Sequence, residues 1–359
     1  MKYLALLITL VFANGLFAQA PSRVPEPQYI AIDSKDNVYV ALKYGIIRIT
    51  PDGTLTNLTK SGDLDRNWKN LIVDSKDNLY ANDGKLIYRF DFEDGKFVGR
   101  IFAGQKWSYK LEDGPLATAG FNTIDAMAID RNDSIYVIDS FDKIKDTIGA
   151  NFVTDPYYTA APVKTRGHQN FRVIRRIDTN GIVTTLKTTD GKYIVPNNVY
   201  SIAIDSAGSI IYSSHGRFIG KIDLNTGAFS NIAGQPYKRQ YCPVYTPGPI
   251  AVAELFTPEN VIVNKGGEII YADQRSHLII KIAGGKVSTL AGNSIIDPCS
   301  QNIGGRAQEG NKDGKALTAL FYFPKGMAYD SKGNLYIADM FNHSIRKLSP
   351  DGTVSTFAK

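Results

Sequence analysis

The fold is decided by the stretch AYDSKGNLYIADMFNHSIRKLSPDGTVSTFA at residues 328–358. Two apolar runs flank the turn DSKGN, and the polar corner DMFNH follows. A run of basic and apolar residues, the turn PDG and a last run of β-forming residues complete the stretch. Nearly the same arrangement, AIDSKDNVYVALKYGIIRITPDGTLTNLT, occurs at residues 31–59. Short runs rich in Ile, Val, Tyr and Thr, divided by Asp-Gly or Gly-Asn, predict strands joined by hairpin turns.

Six copies of this four-run unit occupy the chain. Their first runs end at Asp33, Asp74, Asp130, Asp205, Asn264 and Asp330. A sheet of four short antiparallel strands that is apolar on both faces must be buried between two neighbouring sheets, and a closed ring removes the exposed ends. The sequence therefore predicts an all-β fold, a six-bladed β-propeller of four-stranded antiparallel blades. The blades are predicted at about residues 28–60, 68–104, 121–188, 196–234, 255–292 and 321–358. Because each holds its four strands in sequence order, we expect blade one to pack on blade six without strand exchange.

The first twenty residues have the composition of a secretory signal peptide. Lys2 begins it, Leu4 to Phe17 form an apolar segment, and Ala18-Gln19-Ala20 is a cleavage site. We therefore predict a signal peptide at 1–20, a single propeller domain at 21–359, and a secreted or periplasmic location. No cysteine stands at the cleavage site for a lipid anchor, and no other run is long enough to span a membrane. The formal net charge of +6 is spread without a basic cluster, so we expect no binding to nucleic acid. We also expect a monomer.

The last copy resembles a known repeat family. Residues 321–347, FYFPKGMAYDSKGNLYIADMFNHSIRK, resemble the NHL repeat almost throughout, residues 256–281 resemble it well, and blades one to four resemble it more loosely. The resemblance covers essentially the whole chain after the signal peptide and implies a six-bladed propeller. NHL propellers include binding modules as well as lyases and hydrolases, so the resemblance leaves the function open.

One face of the predicted propeller carries every long insertion. The turns between runs one and two, and between runs three and four, are short and predict plain hairpins. Loops from run two to run three, and from blade to blade, share the opposite face, which we call the loop-rich face. Loops longer than ~12–15 residues are usually functional or disordered, and lengthening on one face favours a binding site.

Aromatic residues and both cysteines lie in these insertions. We predict Trp107, Tyr158 and Tyr241 as ligand contacts, because an aromatic ring with polar neighbours suits sugar rings or peptide side chains. The alternative is that long loops need aromatic residues to stay folded. Cys242 and Cys299 occupy matching loops of neighbouring blades and predict a disulfide.

A polar residue stands five positions before each first-run aspartate or asparagine. These residues are Gln28, Lys69, Asp125, Tyr200, Glu259 and Lys325. They predict a polar ring around the mouth of the central channel, with several members contacting a ligand. Asp125 and Glu259 flank Tyr200, so the pair could bind a cation or act as acid and base. The alternative is a rim that is polar only because water fills the channel.

Metal chemistry has two possible donor sets. The histidines are His168, His215, His277 and His343. Amidating lyases of the NHL class hold zinc with histidines, but His277 and His343 occupy the Asn-His position of the repeat and predict packing within the blade. Gluconolactonase-like propellers hold a divalent metal with Glu, Asn and Asp, for which Glu259, Asn260 and Asp125 are the candidates. Asp139, Asp273 and Asp339 end the second runs and predict turn caps.

The first functional hypothesis is a secreted, non-catalytic module that binds a carbohydrate or polypeptide through the loop-rich face, without a resident cofactor. The alternative is a metal-dependent lyase or lactonase, with calcium or zinc at the channel mouth. A third reading is a structural scaffold in an envelope complex. No catalytic residue is assigned, because no nucleophile, phosphate-binding or metalloprotease motif is present in the sequence.

Overall fold

The computed structural model describes residues 24–59, 66–93, 96–105, 110–141, 151–157, 171–214, 217–235, 245–293, 296–297 and 306–359. The predicted signal peptide lies outside these residues and stays a prediction. Apart from two short 3-10 helices, Ala316–Thr318 and Met340–Asn342, the regular structure of these residues is β-strand. None of their helices is long and apolar enough to cross a membrane.

Six antiparallel sheets of four or five strands follow one another along the chain, which confirms the six-bladed propeller. Blade one contains β1 (Tyr29–Ile32), β2 (Val38–Leu42), β3 (Gly45–Ile49) and β4 (Leu55–Asn57). Blade two contains β5 (Lys69–Val73), β6 (Leu79–Asn82), β7 (Ile87–Glu93) and β8 (Lys96–Ala103). Blade three contains β9 (Gly114–Pro115), β10 (Ile124–Ile129), β11 (Ile135–Phe141), β13 (Phe171–Ile177) and β14 (Ile182–Thr185), and β12 (Phe152–Thr154) lies in its insertion.

Blades four to six repeat this order. Strand β15 (Tyr193–Val195) leads to blade four, which contains β16 (Val199–Ile204), β17 (Ile210–Ser214), β18 (Phe218–Ile222) and β19 (Phe229–Gly234). Blade five contains β20 (Gly248–Pro249), β21 (Pro258–Val263), β22 (Ile269–Asp273), β23 (Leu278–Ala283) and β24 (Lys286–Ala291). Strands β25 (Ile296–Asp297) and β26 (Arg306–Ala307) lie in the next loop. Blade six contains β27 (Gly314–Lys315), β28 (Pro324–Tyr329), β29 (Leu335–Asp339), β30 (Ser344–Leu348) and β31 (Thr353–Ala358).

Three blades have a short fifth strand that the sequence did not predict. Strands β9, β20 and β27 pair with the outermost strands of blades three, five and six. Each comes from the loop that precedes its blade, so the blade-to-blade loop is held against the blade that it enters. In the insertion of blade three, β12 pairs in parallel with β15.

The hydrophobic core is divided among the six interfaces between blades. Each interface has its own cluster of buried aliphatic and aromatic side chains. At the interface of blades one and two, for example, Tyr39 and Ile46 pack with Leu79 and Phe90. Both faces of every sheet carry apolar side chains, so each sheet is stable only between two neighbouring sheets. A closed ring gives every sheet two neighbours.

The residue that ends each innermost strand forms the following turn. Its side-chain oxygen Oδ1 accepts hydrogen bonds from the backbone N–H groups two and four residues later. This holds for Asp33, Asp74, Asp130, Asp205, Asn264 and Asp330. Such Asx turns explain why each copy needs Asp or Asn at this position.

Three of these turns also join neighbouring blades, so the expectation of plain hairpins was incomplete. Ser34 donates its N–H and Oγ–H to the two carboxylate oxygens of Asp77 in the next blade, both at 2.8 Å. Ser75 bonds in the same way to Asp133, and Ser331 to Asp36. We call these contacts the serine–aspartate bridges. They span the interfaces six–one, one–two and two–three.

Blade one closes directly on blade six, as expected, and among the described strands none is exchanged between these two blades. The backbone N–H of Gly326 donates to the carbonyl of Gln28 at 2.8 Å. The backbone N–H of Glu26 donates to Nδ1 of His343 at 3.1 Å. Val24, Ile30 and Ile345 contribute to the hydrophobic cluster at this interface.

Two buried arginines connect blades three and six to the loops before them. The Arg346 guanidinium donates to the carbonyls of Leu320 and Lys312 and to the carboxylates of Asp339 and Asp313. Arg175 makes the equivalent bonds in blade three to Gly120, Glu112, Asp139 and Asp113. Asp139 and Asp339 also accept the backbone N–H groups of Asn122, Thr123 and Tyr322, so they hold the segment that enters the blade rather than capping their own turn through its backbone as predicted.

Candidate functional site at the channel mouth

The six innermost strands surround a central cavity of about 230 Å³. Strands β1, β5, β10, β16, β21 and β28 each contribute to its lining. Most lining side chains are apolar, but Asn70, Ser201 and Asn260 place polar groups on the wall. The Asn260 amide donates to Oγ of Ser201 at 3.3 Å and accepts the N–H of Met327 at 3.1 Å. These bonds join the inner strands of blades four, five and six.

Five of the six predicted ring residues are the first or second residue of an innermost strand, Gln28 directly precedes β1, and all six are half-buried. In blades two to six the pairing with the second strand is irregular at this point. Irregular pairing of this kind is typical of β-bulges, which bend a strand and re-aim its side chains. The bulges explain how polar side chains can be placed at the mouth while the rest of each strand packs against its neighbours.

Glu259 is the charged centre of this ring. Burial raises the pKa of its carboxyl, which the charge of Lys325 opposes and that of Asp273 reinforces. Burial also raises the pKa of Tyr29 in blade one and brings that of Tyr200 in blade four to about 12, with the charge of Glu259 adding to both. Among the residues that the structure describes, none donates a hydrogen bond or forms an ion pair to the Glu259 carboxylate.

Asp125, the other acidic ring residue, is engaged by the protein through its Oδ2 oxygen. Its carboxylate accepts Nε–H of Arg172 at 2.9 Å and the hydroxyl of Ser140. Nη1 of Arg172 also donates a hydrogen bond to Oδ1 of Asn198 at 3.4 Å. The two carboxylates on either side of Tyr200 are therefore not equivalent. Asp125 belongs to an ion pair, whereas Glu259 presents a carboxylate that can accept a ligand donor.

Lys325 connects the site to the seam between blades six and one. Its ammonium lies 3.2 Å from Oε1 of Gln28 and 5.0 Å from the centre of the Tyr29 ring. Burial lowers its pKa, and Glu259 opposes this shift while Lys69 adds to it. Charges contributed by blades two, five and six therefore act on one another at the mouth.

The metal-binding set suggested by the gluconolactonase-like resemblance is largely occupied by protein contacts. Asp125 is ion-paired with Arg172, and the Asn260 amide bonds both Ser201 and Met327. Within the described ranges there is no group of three His, Cys, Asp or Glu side chains arranged to hold a metal ion. These donors do not fit the suggested metal, so no reaction step is derived through one.

The two described histidines link blades and do not form a metal site together. Nδ1 of His277 accepts the N–H of Phe323 at 3.2 Å, just as His343 accepts that of Glu26. The repeat position therefore joins its blade to the next one, rather than packing within its own blade as expected. His168 and His215 lie outside the described residues.

All three predicted loop contacts also lie outside the described residues, as do both cysteines. They are Trp107, Tyr158, Tyr241 and the predicted disulfide pair Cys242 and Cys299, and these assignments stay predictions. Two neighbouring tyrosines support the structural alternative. Tyr245 is 3% exposed and accepts a hydrogen bond from Thr289, while Tyr157 packs against Phe218.

An aromatic group on the loop-rich face of blade six was missed by the sequence analysis. Tyr322, Phe323 and Phe341 form what we call the aromatic platform, with the Phe341 ring 5.1 and 4.7 Å from the other two ring centres. Phe341 lies in the loop after β29, and Phe323 stands two residues before Lys325. Phe323 and Phe341 belong to the repeat motifs FYFPKG and DMFNH. The repeat pattern accounts for these motifs as fold elements, so the sequence contained no separate signal for their aromatic rings.

The conformation of Phe323 supports a role for its ring. Its φ of 56° lies in the left-handed region, which is unusual for a bulky residue. Asn198 occupies the corresponding position of blade four with φ 47°, and asparagine tolerates this region better. The bond to His277 explains the backbone conformation, but it does not explain the choice of phenylalanine.

Comparison with known proteins supports the fold but does not assign a family. No protein-family model matches the chain, and no curated protein matches it. A structure of unknown function from Bacteroides thetaiotaomicron is 17% identical with a TM-score of 0.63, covering 91% of this chain and 70% of that one. An auxiliary nutrient binding protein from Bacteroides ovatus is 16% identical with a TM-score of 0.61, covering 93% and 70%. A gluconolactonase from Xanthomonas campestris is 11% identical with a TM-score of 0.54, covering 93% and 87%. At these identities the similarity shows the propeller fold alone.

Proposed function

We propose that this protein is an exported, monomeric and non-catalytic binding propeller whose loop-rich face holds a carbohydrate or polypeptide at the channel mouth. The observation that carries the proposal is the half-buried Glu259 carboxylate, which has no partner among the described residues. A buried charge without a partner is unfavourable, and its pKa is shifted accordingly. A ligand hydroxyl or amine would supply the missing donor.

The surroundings of Glu259 favour a ligand with both polar and apolar parts. Lys69, Lys325 and Gln28 offer donors and an acceptor within the same ring, and the aromatic platform offers flat apolar surface on the same face of the propeller. Phe341 is 38% exposed, so part of its ring is accessible. A sugar ring has hydroxyls at its edge and C–H groups on its faces, and it can use both kinds of contact.

The structural neighbours agree with a binding role by analogy. Two of them, from Bacteroides thetaiotaomicron and Bacteroides ovatus, are named auxiliary nutrient binding proteins. We carry only the general idea of ligand binding from those names to this chain. Fold similarity alone does not establish a function, so the site chemistry bears the argument.

A metal-dependent lyase or lactonase is the second candidate. The neighbouring gluconolactonase and the shifted pKa values of Glu259 and Lys325 favour it, because perturbed titrating groups cluster at catalytic sites. The engagement of Asp125 and Asn260 by the protein speaks against it. Metal analysis separates the candidates: tightly bound stoichiometric calcium or zinc that is lost in Glu259→Gln would favour the enzyme.

The binding proposal is tested by a glycan array and a thermal-shift screen of metabolites and peptides, followed by calorimetry on any hit. We expect Trp107→Ala, Tyr158→Ala and Glu259→Gln each to weaken binding by ~1–3 kcal/mol, because an aromatic anchor or a buried polar contact is lost. The control is Lys332→Ala on the opposite face, which should change neither affinity nor melting temperature. If the control lost as much affinity as the variants at the mouth, the proposed binding site would be wrong.

A further inference from the structure

A second concave site lies on the face that the sequence predicted to be plain. It is an open groove of about 860 Å³ between blades one and two, on the side of the short turns. Its wall is the hairpin of β7 and β8, whose strands have seven and eight residues. The corresponding strands of blade one, β3 and β4, have five and three. The groove exists because the outer hairpin of blade two extends beyond its shorter neighbour.

Each carboxylate lining this groove already has protein partners. Asp33 accepts hydrogen bonds in its own turn, and Asp77 accepts those of Ser34. Asp91 pairs with Arg89 at 2.8 Å, and Glu93 pairs with both terminal nitrogens of Arg100 at 2.5 and 2.6 Å. The acidic groups of the groove are therefore not available to balance a further cation.

Among the described cations that line the groove, Arg48 and the exposed Lys76 have no carboxylate partner, and only Arg48 carries a guanidinium. Its guanidinium lies over the rings of Phe97 and Phe92, at 5.1 and 6.0 Å from their centres. Its Nε–H is buried without an acceptor, and the structure gives the guanidinium no ion pair within the part of the chain that it describes. Phe92 is 61% exposed, so its ring offers apolar surface next to this charge.

The equivalent basic residues show that this arrangement is unusual. In blades two to five they each have a partner: Arg89 with Asp91, Arg176 with Ser134, Lys221 with Asp205, and Lys281 with Glu268. Lys347 in blade six, like Arg48, has none among the described residues. Arg48 differs from Lys347 in being a planar guanidinium held over two aromatic rings, a geometry suited to bidentate binding of an oxyanion.

We propose that this groove binds a small aromatic oxyanion, with its carboxylate or phosphate on Arg48 and its ring against Phe92. The site is independent of the channel mouth, because it lies on the opposite face and shares no residue with it. A guanidinium that is stacked and partly desolvated binds an anion more strongly than an exposed lysine does. The exposed phenylalanine selects ligands that carry a flat apolar body.

The test uses three probes of similar shape: benzoate, phenyl phosphate and neutral benzamide. We expect the full-length mature protein to bind one or both anions saturably. The expected Kd is about 1 mM, because a ligand with so few atoms can gain only a small binding free energy. Benzamide should bind at least tenfold more weakly. A preference for benzoate or for phenyl phosphate identifies which oxyanion the groove takes.

Matched variants locate the binding. Arg48→Gln should weaken anion binding at least tenfold and Phe92→Ala several-fold, while Arg48→Lys should retain part of the affinity. The control is Arg176→Gln, which changes the same repeat position in blade three and should leave binding unchanged. Phe92 is on the surface, so its variant gives a result even if Arg48→Gln fails to fold. Benzamide binding as tightly as the anions, an equal loss in Arg176→Gln, or no saturable binding would overturn the proposal.

Discussion

At the scale of single residues, blade five differs from blades three and six at one buried position. Ile280 stands where those blades have Arg175 and Arg346. Asp273 is therefore buried without an arginine and relies on the N–H groups of Phe256 and Thr257 and on the Thr257 hydroxyl. Its charge adds to the raised pKa of Glu259, so the missing arginine contributes to the electrostatics of the channel mouth.

The same electrostatics predict the stability of Glu259→Gln. Because burial raises the folded-state pKa of Glu259, the folded protein holds the proton more tightly than the unfolded chain does. The free energy of unfolding therefore falls as pH rises from the ordinary glutamate pKa through the raised folded-state pKa. We expect Glu259→Gln to be at least as stable as the wild type at pH 7, with the difference vanishing near the ordinary glutamate pKa of about 4.3. Urea denaturation at several pH values measures this.

The matched control for that prediction is Asp125→Asn. Asp125 forms an ion pair with Arg172, both partly buried, so its neutral variant should be less stable than the wild type at pH 7. If Glu259→Gln were destabilised as much as Asp125→Asn, Glu259 would have a structural partner. The proposal of a carboxylate kept for a ligand would then be wrong.

At the scale of elements, the short turns do more than reverse the chain. The serine–aspartate bridges use the second and fourth positions of neighbouring turns, and Asp36, Asp77 and Asp133 all have positive φ. In blades four to six the fourth position is Gly208, Gly267 and Gly333, so no such bridge can form there. Half of the ring is therefore joined at this face by charge-assisted hydrogen bonds, and the other half depends on packing.

The bridges predict a specific dependence of stability on pH. The N–H of Ser331 lowers the pKa of Asp36, so this bridge stabilises the protein above the ordinary aspartate pKa and is lost as pH falls through the folded-state value. We expect Asp36→Asn, which tolerates positive φ, to lower the unfolding free energy by about 0.5–1 kcal/mol at pH 7. The difference should disappear below about pH 3.

Urea titrations of both proteins between pH 3 and pH 7 check this expectation. Asp351→Asn is a suitable control, because Asp351 caps its own turn in blade six and does not reach another blade. Parallel pH profiles for the wild type and Asp36→Asn would mean that the bridge does not depend on the aspartate charge.

At the scale of the whole molecule, the ring holds together because each sheet is covered on both sides. Deleting residues 199–244 removes blade four and leaves β20 in place for blade five. The exposed face of blade three would then meet a face of blade five shaped for Ile211 and Ile219. We expect an insoluble chain, or one that binds hydrophobic dyes and lacks cooperative unfolding. Gel filtration and near-ultraviolet circular dichroism measure the outcome, and a monodisperse, cooperatively folded product would contradict a closed six-bladed ring.

The sequence by itself determined the number of blades, their four main strands and the order of those strands. Alternating apolar residues, Asx turns and glycine-containing hairpins act within a few residues, so each repeat shows its own secondary structure locally. The same reasoning placed the six polar residues at one end of the innermost strands. It also explained why blade one closes on blade six, since no copy lacks a strand.

Only the tertiary structure decided which polar residues are already engaged. Asp125 and Glu259 are equivalent in the repeat, but Arg172 neutralises the first from 47 residues away, and nothing in the described chain bonds the second. The Ser331–Asp36 bridge joins residues 295 apart, and the groove at Arg48 depends on the relative lengths of two hairpins in different blades. These features depend on distances between blades, and a local pattern does not contain those distances.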